Sequence, residues 1–190
     1  MTPLPPLYVM RHGETEWNVA GRLQGAMDSP LTPRGVDQAR AQARVLARLG
    51  CAEAQWRVSP QGRAIETATI VRGTPPDPSD LDTRLREIEV GDWTGKDRRT
   101  IAQSNPTLFE ADGLAWYDHA PGGEGLSALA ARVSEFLMSL DRPTVIVTHG
   151  ITSRVLRCIA TDLPWEALDQ VGGGQGIIYE VSLGKQILHR

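Results

Sequence analysis

The sequence has little cysteine, few aromatic residues and no long apolar segment. Cys51 and Cys158 are its two cysteines, and their spacing fits neither a CxxC redox motif nor a zinc site. Because cytosolic disulfides are rare, we expect both to be reduced, buried thiols. A run of about 18 apolar residues, as a membrane span needs, is absent. The N-terminus also lacks the basic and apolar regions of a secretory signal. These absences predict a cytoplasmic protein with no membrane partner.

The chain also has only a small excess of charge of one sign. The net charge is -3 and charged residues make up 23% of the chain, which is ordinary for a folded domain and does not favour disorder. A mildly acidic chain lacks the basic surface that nucleic-acid binding requires, so we expect no nucleic-acid partner. The length of 190 residues suffices for one α/β domain with a sizeable core, and we expect a single domain over residues 1–190.

Strand and helix patterns alternate along the chain, which predicts an α/β fold with a mostly parallel central sheet. The clearest helix begins after Thr32, a capping residue followed by Pro33, and ends at Gly50. Strands are predicted at 7–10, 55–59 and 144–149, helices at 33–49, 65–71, 126–141 and 155–160, and a closing hairpin turns at Gly184 and Lys185. The segment 81–121 is irregular, with several short helices.

Basic residues follow three of the predicted strands. Arg11 and His12 end the first, Arg63 comes after the second, and His149 ends the third. Open α/β sheets bind ligands at the carboxyl ends of their strands, so these side chains should converge at one edge. The arginine fork matches the geometry of phosphate oxygens, and the cluster therefore predicts a site for a phosphoryl group.

Histidine and glutamate side chains could turn such a site into a catalyst. A neutral imidazole can attack phosphorus, and a carboxylic acid can protonate the leaving oxygen. Glu87 and Glu89 are the candidate acids. Zinc bound by His12 and His149 is an alternative, but no HxH or HExxH spacing supports it. His119 and His189 belong to no such pattern, and we expect them at the surface.

Four blocks of the sequence resemble the signature blocks of the histidine phosphatase superfamily, also called the phosphoglycerate mutase-like family. They are RHGETEWN at 11–18, SPQGRAIETA at 59–68, LREIEVGDWTG at 85–95 and VTHG at 147–150. The resemblance covers most of the chain in the same order. It implies a three-layer α/β/α sandwich, a cap-forming segment around residues 90–125, and catalysis without a cofactor or metal.

The resemblance also implies roles for individual residues. His12 would be the phosphorylated nucleophile, with its second ring nitrogen hydrogen-bonded to nearby backbone. Glu87 would protonate the leaving group, and Gly13 would allow close backbone approach. A protonated His149 would add positive charge. The remaining implied contacts to the phosphoryl group or the substrate are those of Arg11, Arg63, His149, Asn18, Gln24 and Gly150.

The implied activity is hydrolysis of a small phosphate ester through a phosphohistidine. Phosphoglycerate mutase activity is the alternative. Mutases of this family usually carry an insertion after the acidic block, and this sequence lacks it. A third possibility is a non-catalytic protein that binds a phosphorylated ligand. The sequence leaves the ester and the oligomeric state open.

Some features depart from the family pattern or resemble other motifs. Gly125 stands where the family usually has serine, and Arg154 would lie at the pocket rim or in solvent. VGGGQG at 171–176 lacks the ending of a phosphate loop and is expected to be a turn. Lys96, Arg98 and Arg99 could meet a second anionic group, but we favour a solvated face.

Overall fold

The central feature of the fold is a five-stranded sheet in the order β2-β3-β1-β4-β5. A computed structural model of the chain describes residues 4–111 and 113–190, apart from the side chains at positions 110 and 111. Strands β1, β2 and β3 run parallel, whereas β4 and β5 are antiparallel to their neighbours. The strands are β1 Leu7–Arg11, β2 Gln55–Val58, β3 Thr144–Thr148, β4 Ile178–Ser182 and β5 Lys185–His189.

The helices follow the predicted pattern closely. Thr32 caps α2 through its side chain, and Gly50 ends that helix in the left-handed conformation, as predicted. Three boundaries differ by three residues or more. The helix expected to end near residue 141 ends at Met138, because the Ser139 N–H bonds to the Phe136 carbonyl in a tighter final turn. The helices expected from residues 65 and 155 already begin at Gly62 and Gly150. The helices are α1 Glu16–Val19, α2 Pro33–Leu49, α3 Gly62–Arg72, α4 Arg98–Ser104, α5 Pro106–Ala111, α6 Leu126–Met138 and α7 Gly150–Ala160.

Helices cover both faces of the sheet, as expected for a three-layer α/β/α sandwich. Along β3, Val145 and Val147 pack with the apolar residues of α2 and α3, while Ile146 packs with those of α6 and α7. Successive strand side chains point to opposite faces, so a strand with apolar residues at every position is buried on both. All five residues of β3 are buried.

The segment from residue 90 to 125 lies beside this core as a series of short turns and helices. It contains α4 and α5, with 3-10 turns at Gly91–Trp93 and Ala115–His119. Trp93 and Trp116 belong to the same apolar cluster as residues of β1 and β3. The expected cap includes position 112, which lies outside the described residues.

Cysteine burial matches the prediction only in part. Both cysteines are free thiols, but Cys158 is buried whereas Cys51 is half-buried. Cys51 lies just after the end of α2, where the chain turns toward β2, so one side of it faces solvent. No helix of the described chain is long and apolar enough to cross a membrane.

Candidate active site

His12 lies directly after β1, with its backbone held against β3. Its N–H donates to the carbonyl of Thr148 at 3.0 Å. The ring is buried, and its Nδ1 lies 2.7 Å from the carbonyl oxygen of Gly13. Because that oxygen can only accept, Nδ1 carries the proton and Nε2 keeps its lone pair. The expected tautomer-setting contact is therefore confirmed.

The environment of His12 also keeps the ring uncharged. Burial lowers the pKa of His12 well below 6.5, and the charges of Arg11 and Arg63 lower it further. A contact to the Gly13 carbonyl acts in the opposite direction but does not overcome these effects. The ring is thus neutral at pH 7, which is the state a nucleophile needs.

His149 faces the first histidine across the two neighbouring strands. The centroids of the two rings are 5.2 Å apart. Burial, followed by the charges of Arg63, His12 and Arg11, lowers the pKa of His149 well below 6.5. The expectation of a protonated His149 is therefore wrong, since an imidazolium charge here would be desolvated and would lie beside two guanidinium charges.

A serine that the sequence analysis did not single out positions this second ring. Nε2 of His149 lies 2.7 Å from Oγ of Ser59, and the backbone N–H of Gln61 donates to the same hydroxyl at 3.4 Å. Nδ1 of His149 is buried without a partner among the described residues. A hydroxyl that accepts from Gln61 can donate to Nε2, which leaves the proton of His149 on Nδ1.

Two arginines supply the positive charge of the site. Arg11 is the last residue of β1, and burial lowers its pKa against the opposing charge of Glu87. Arg63, in the first turn of α3, is buried and forms a 2.7 Å ion pair with Asp28. Nε of each arginine is buried without a hydrogen-bond partner in the part of the chain described. Both guanidinium groups stay charged at pH 7.

Asp28 was missed by the sequence analysis, although it lies only three positions before the start of the LTPRG stretch. Its carboxylate accepts from the backbone N–H of Gly62 at 2.8 Å and of Arg63 at 3.2 Å, in addition to the guanidinium contact. The same group therefore caps α3 and orients Arg63.

Glu87 lies at the N-terminus of α7. Its carboxylate accepts from the backbone N–H groups of Gly150 at 2.9 Å and Thr152 at 3.1 Å, and from the Thr152 hydroxyl at 3.1 Å. A helix N-terminus attracts negative charge, so this position holds the side chain firmly. Glu89 instead is half-exposed and pairs with Arg86 at 3.7 Å. Of the two candidate acids, only Glu87 lines the cavity beside His12.

The backbone around Glu87 is fixed by two further contacts. Oε1 of Gln61 accepts from the Glu87 N–H at 2.8 Å, while the Gln61 amide donates to the Gly25 carbonyl at 2.7 Å. Arg132 on α6 pairs with Glu124 and donates to the carbonyl of Glu87 at 3.3 Å. Gln61 lies within the SPQG block, but its spacing alone gave no sign of this role.

Asn18 and Gln24 also line the cavity next to His12, as expected. Both have structural contacts: Oδ1 of Asn18 accepts from the Thr15 N–H at 3.1 Å, and the Gln24 amide donates to the Thr15 hydroxyl at 2.9 Å. Oε1 of Gln24 is buried with no partner among the described atoms. Thr15 therefore holds both side chains at the cavity wall.

Tyr117 forms part of the opposite wall. It comes from the 3-10 turn Ala115–His119, stacks on Trp116 with 3.8 Å between ring centroids, and lines the same cavity as Glu87 and Arg11. Burial raises the pKa of Tyr117, so it remains a neutral phenol. The irregular sequence of this segment gave no way to predict the contact.

The described residues contain no cluster of three or more histidine, cysteine or carboxylate side chains that could hold a metal ion. The expected surface position is confirmed for His119, which is exposed, whereas His189 is half-buried and pairs with Glu180 of β4 at 2.9 Å.

Comparisons with known proteins find relatives along most of the chain. The family model described as "Histidine phosphatase superfamily (branch 1)" matches residues 7–186. A glucosyl-3-phosphoglycerate phosphatase from Mycolicibacterium vanbaalenii is 33% identical over 184 residues, covering 88% of this chain and 79% of that protein. A probable phosphoglycerate mutase, GpmB of Proteus mirabilis, is 37% identical over 169 residues, covering 83% of this chain and 75% of its own.

A solved structure shows the same fold. A mycobacterial glucosyl-3-phosphoglycerate phosphatase in complex with VO3 superimposes with a TM-score of 0.79 at 32% identity, and the match covers 97% of this chain and 96% of that chain.

Proposed function

Since the chain belongs to the histidine phosphatase superfamily, we propose that it hydrolyses a small phosphorylated metabolite through a phosphohistidine on His12. The observation that carries the proposal is the pairing of a neutral, oriented imidazole with two arginines, Arg63 buried and Arg11 half-buried. Nε2 of His12 has a free lone pair because Nδ1 is bonded to Gly13, while Arg11 and Arg63 supply charge for phosphoryl oxygens. The phosphatases named above act on phosphate esters, which fits this arrangement.

In the first step, Nε2 of His12 attacks phosphorus as the P–O bond of the ester breaks. Glu87, which enters this step as the carboxylic acid after taking up a proton, gives that proton to the leaving oxygen, so the product leaves as a neutral alcohol. Charge builds up on the equatorial phosphoryl oxygens, where Arg11, Arg63 and the Nδ1–H of His149 act as donors. Gly150 contributes by fixing Glu87 through its N–H, while Asn18 and Gln24 form the wall that the substrate meets.

In the second step, water attacks the phosphohistidine. The Glu87 carboxylate accepts a proton from that water, the P–N bond breaks, and the lone pair returns to Nε2 as inorganic phosphate forms. The charge that a metal ion supplies in other phosphoryl-transfer enzymes comes here from guanidinium groups, so we assign no cofactor or metal.

A rapid-quench labelling experiment tests the covalent step. Wild-type protein mixed with a ³²P-labelled ester and quenched in base should carry an acid-labile, base-stable label on His12. His12→Ala should carry no label and lose turnover. His189→Ala is the matched control, because His189 lies outside the site on β5 and should label as wild type. Steady turnover without any labelled histidine would refute the mechanism.

A phosphoglycerate mutase is the second candidate, supported by the 37% identity to the Proteus mirabilis protein. Both activities share the phosphohistidine and differ in whether water or a second hydroxyl accepts the phosphoryl group. The uninterrupted stretch GDWTGKDRRTIAQSNP after the acidic block favours hydrolysis. In an assay with 3-phosphoglycerate and catalytic 2,3-bisphosphoglycerate, free phosphate should form faster than 2-phosphoglycerate. The reverse order would identify a mutase.

The third possibility, a binding protein without turnover, conflicts with the complete set of nucleophile, acid and arginines. We further propose that residues 90–125 act as a cap within a single domain, since Val90 and Tyr117 line the cavity beside His12. A cytoplasmic location and the lack of a nucleic-acid partner stay predictions.

A further inference from the structure

A second cavity of about 160 Å³ adjoins the proposed catalytic pocket. Arg11 lines both cavities, and His149 and Gly150 also line the second. The rest of its wall comes from further residues of α7, from the turn that precedes β4 and from Tyr179 of β4, none of which the catalytic mechanism uses. Its most notable lining residues are Arg154 and Arg157, one turn apart on α7.

Within the described part of the chain, neither of these arginines has an acidic partner. Arg154 donates to the carbonyls of Leu168 and Val171, and Arg157 donates to the carbonyl of Gly172 at 2.5 Å and to Gln186 at 3.0 Å. Among the described residues, no carboxylate forms an ion pair with either one. Three guanidinium groups, counting Arg11, therefore line one small cavity.

Burying several guanidinium charges in one cavity costs free energy unless an anion binds among them. Arg157 is fully buried, and burial lowers its pKa to about 10. The ring of Tyr179, 3.7 Å from the guanidinium carbon, and neutral carbonyl groups offset part of that cost. A buried charge is normally compensated by an opposite charge, and this cavity offers room for one.

The glycine-rich turn at 171–176 is shaped to fit the same arginine. A Cβ atom at Gly173 would lie only 2.8 Å from Nη2 of Arg154, so a larger residue would force the guanidinium to shift from its present position. The turn predicted from VGGGQG is confirmed, and its glycines bring backbone against α7. Arg154, expected at the rim or in solvent, instead lies half-buried in the cavity wall.

We propose that this cavity is an anion subsite that binds a second acidic group, a carboxylate or a phosphate, of the substrate whose phosphoryl group lies at His12. The assignment rests on the proposed function and narrows its substrate class to phosphate esters with a further anionic group. Arg154 provides the accessible contact, while Arg157 shapes the wall.

The other basic group does not compete for this role. Lys96, Arg98 and Arg99 are exposed and line neither cavity. Arg98 lies over the rings of Phe109 and Trp116, at 5.4 and 5.6 Å from their centroids. The solvated face expected for these residues agrees with the structure.

Binding and turnover test the subsite separately. For binding, calorimetry compares ω-phosphonocarboxylates of two to four methylenes with alkylphosphonates of equal chain length, because phosphonates are not hydrolysed. Wild type should bind the best carboxylate at least about tenfold more tightly than its uncharged match, as expected for one charged hydrogen bond. A series with a second phosphonate in place of the carboxylate shows which acid is preferred.

Substitutions of Arg154 test whether this residue causes the preference for the phosphonate with a second acidic group. Arg154→Gln should remove most of it, Arg154→Lys should keep part through its charge, and Arg44→Gln should leave it unchanged, because Arg44 is an exposed arginine on α2. Thermal melts confirm that each variant is folded. Equal binding of charged and uncharged phosphonates by wild type, or an undiminished preference in a folded Arg154→Gln, overturns the subsite.

Turnover separates this proposal from the parent function. With 3-phosphoglycerate and glycerol 3-phosphate as a matched pair, Arg154→Gln should lower kcat/KM for the first about tenfold and leave the second nearly unchanged. An equal loss on both esters refutes the subsite while leaving hydrolysis intact. A preference in phosphonate binding without any hydrolysis would uphold the subsite and refute the proposed function.

Discussion

Two buried imidazoles lie beside two guanidinium groups, and this proximity determines which species each ring can be. Asp28 pairs with Arg63 and Glu87 lies near Arg11, yet the net effect of both guanidinium groups on His12 is still to lower its pKa, and no described carboxylate acts on the ring against them. A lone surface histidine would be half protonated near pH 6.5. The pocket thus prepares the nucleophile by excluding a proton rather than by adding a base.

The charges around His12 predict how its ring titrates. Because burial and the neighbouring arginines lower its pKa, the ring should stay neutral well below pH 6.5 and take up its proton only in more acidic solution. NMR of the ring Cε1–H measures this without interference from the substrate, whose own second phosphate pKa is near 6. In Arg63→Gln the midpoint should move upward. A midpoint at or above 6.5 in the wild type would contradict the account.

The assignment of the acid to Glu87 predicts a dependence on the leaving group. Glu87→Gln should lower kcat on an alkyl phosphate by about 10²- to 10⁴-fold, since it cannot protonate the alkoxide. With p-nitrophenyl phosphate, whose leaving group needs no proton, the loss in the phosphorylation step should be much smaller. Glu89→Gln is the control, because Glu89 is half-exposed and contacts Arg86. Equal losses in both variants would contradict the assignment.

At the scale of elements, the backbone of the loop after β1 packs closely against the first turn of α2, and glycines at positions 13 and 35 make this possible. A Cβ at Gly35 would lie 2.1 Å from the carbonyl oxygen of Glu14, and one at Gly13 would lie 2.3 Å from the carbonyl oxygen of Gly35. The expected close approach at Gly13 is therefore confirmed. It allows α2 to press the loop that carries His12 against the sheet.

This contact predicts a stability difference between two glycine variants. Gly35→Ala should lower the free energy of unfolding by about 1–3 kcal/mol, because backbone must move to admit the methyl group. Gly62→Ala should change it by less than about 1 kcal/mol, since its nearest neighbour, Oδ2 of Asp28, would be 3.4 Å away. Urea unfolding measures both. Similar values for the two variants would show that the loop yields easily.

The elements that the sequence predicted well are those with a strong local signal. β3 has an uninterrupted apolar run, and α2 has both a capping threonine and a terminal glycine, so each fixes its own boundaries. Arg11, His12 and His149 could be assigned to one edge because parallel strands bring their carboxyl ends together. Local sequence patterns were therefore sufficient to predict these elements and the edge of the sheet where the site lies.

The contacts that the sequence did not predict depend on long-range packing. Asp28 reaches Arg63 across 35 positions, and Gln61 reaches Glu87 across 26. No periodic pattern in the sequence predicts either of these contacts. The protonation state of His149 was also missed, because it depends on burial among charges that only the folded chain brings together.

For the whole molecule, the source of positive charge predicts how activity responds to chelators. Arg11 and Arg63 lie in the cavity wall with His12, so the charge that balances the phosphoryl oxygens is covalently part of the chain. Hydrolysis should be unchanged after dialysis against EDTA, measured as phosphate release. Activity lost on chelation and restored by a divalent ion would show that the arginines do not suffice.

The adjacency of β1 and β3 has a consequence for how such a catalyst can diversify. The residues next to the two histidines, Arg11 and Thr148, are paired across these strands, and the rings stand 5.2 Å apart, close to the spacing between neighbouring strands. Their separation is inherited from the backbone ladder rather than from any loop. Evolution can therefore rebuild the surrounding walls, and with them the choice of ester, without retuning the distance on which the reaction depends.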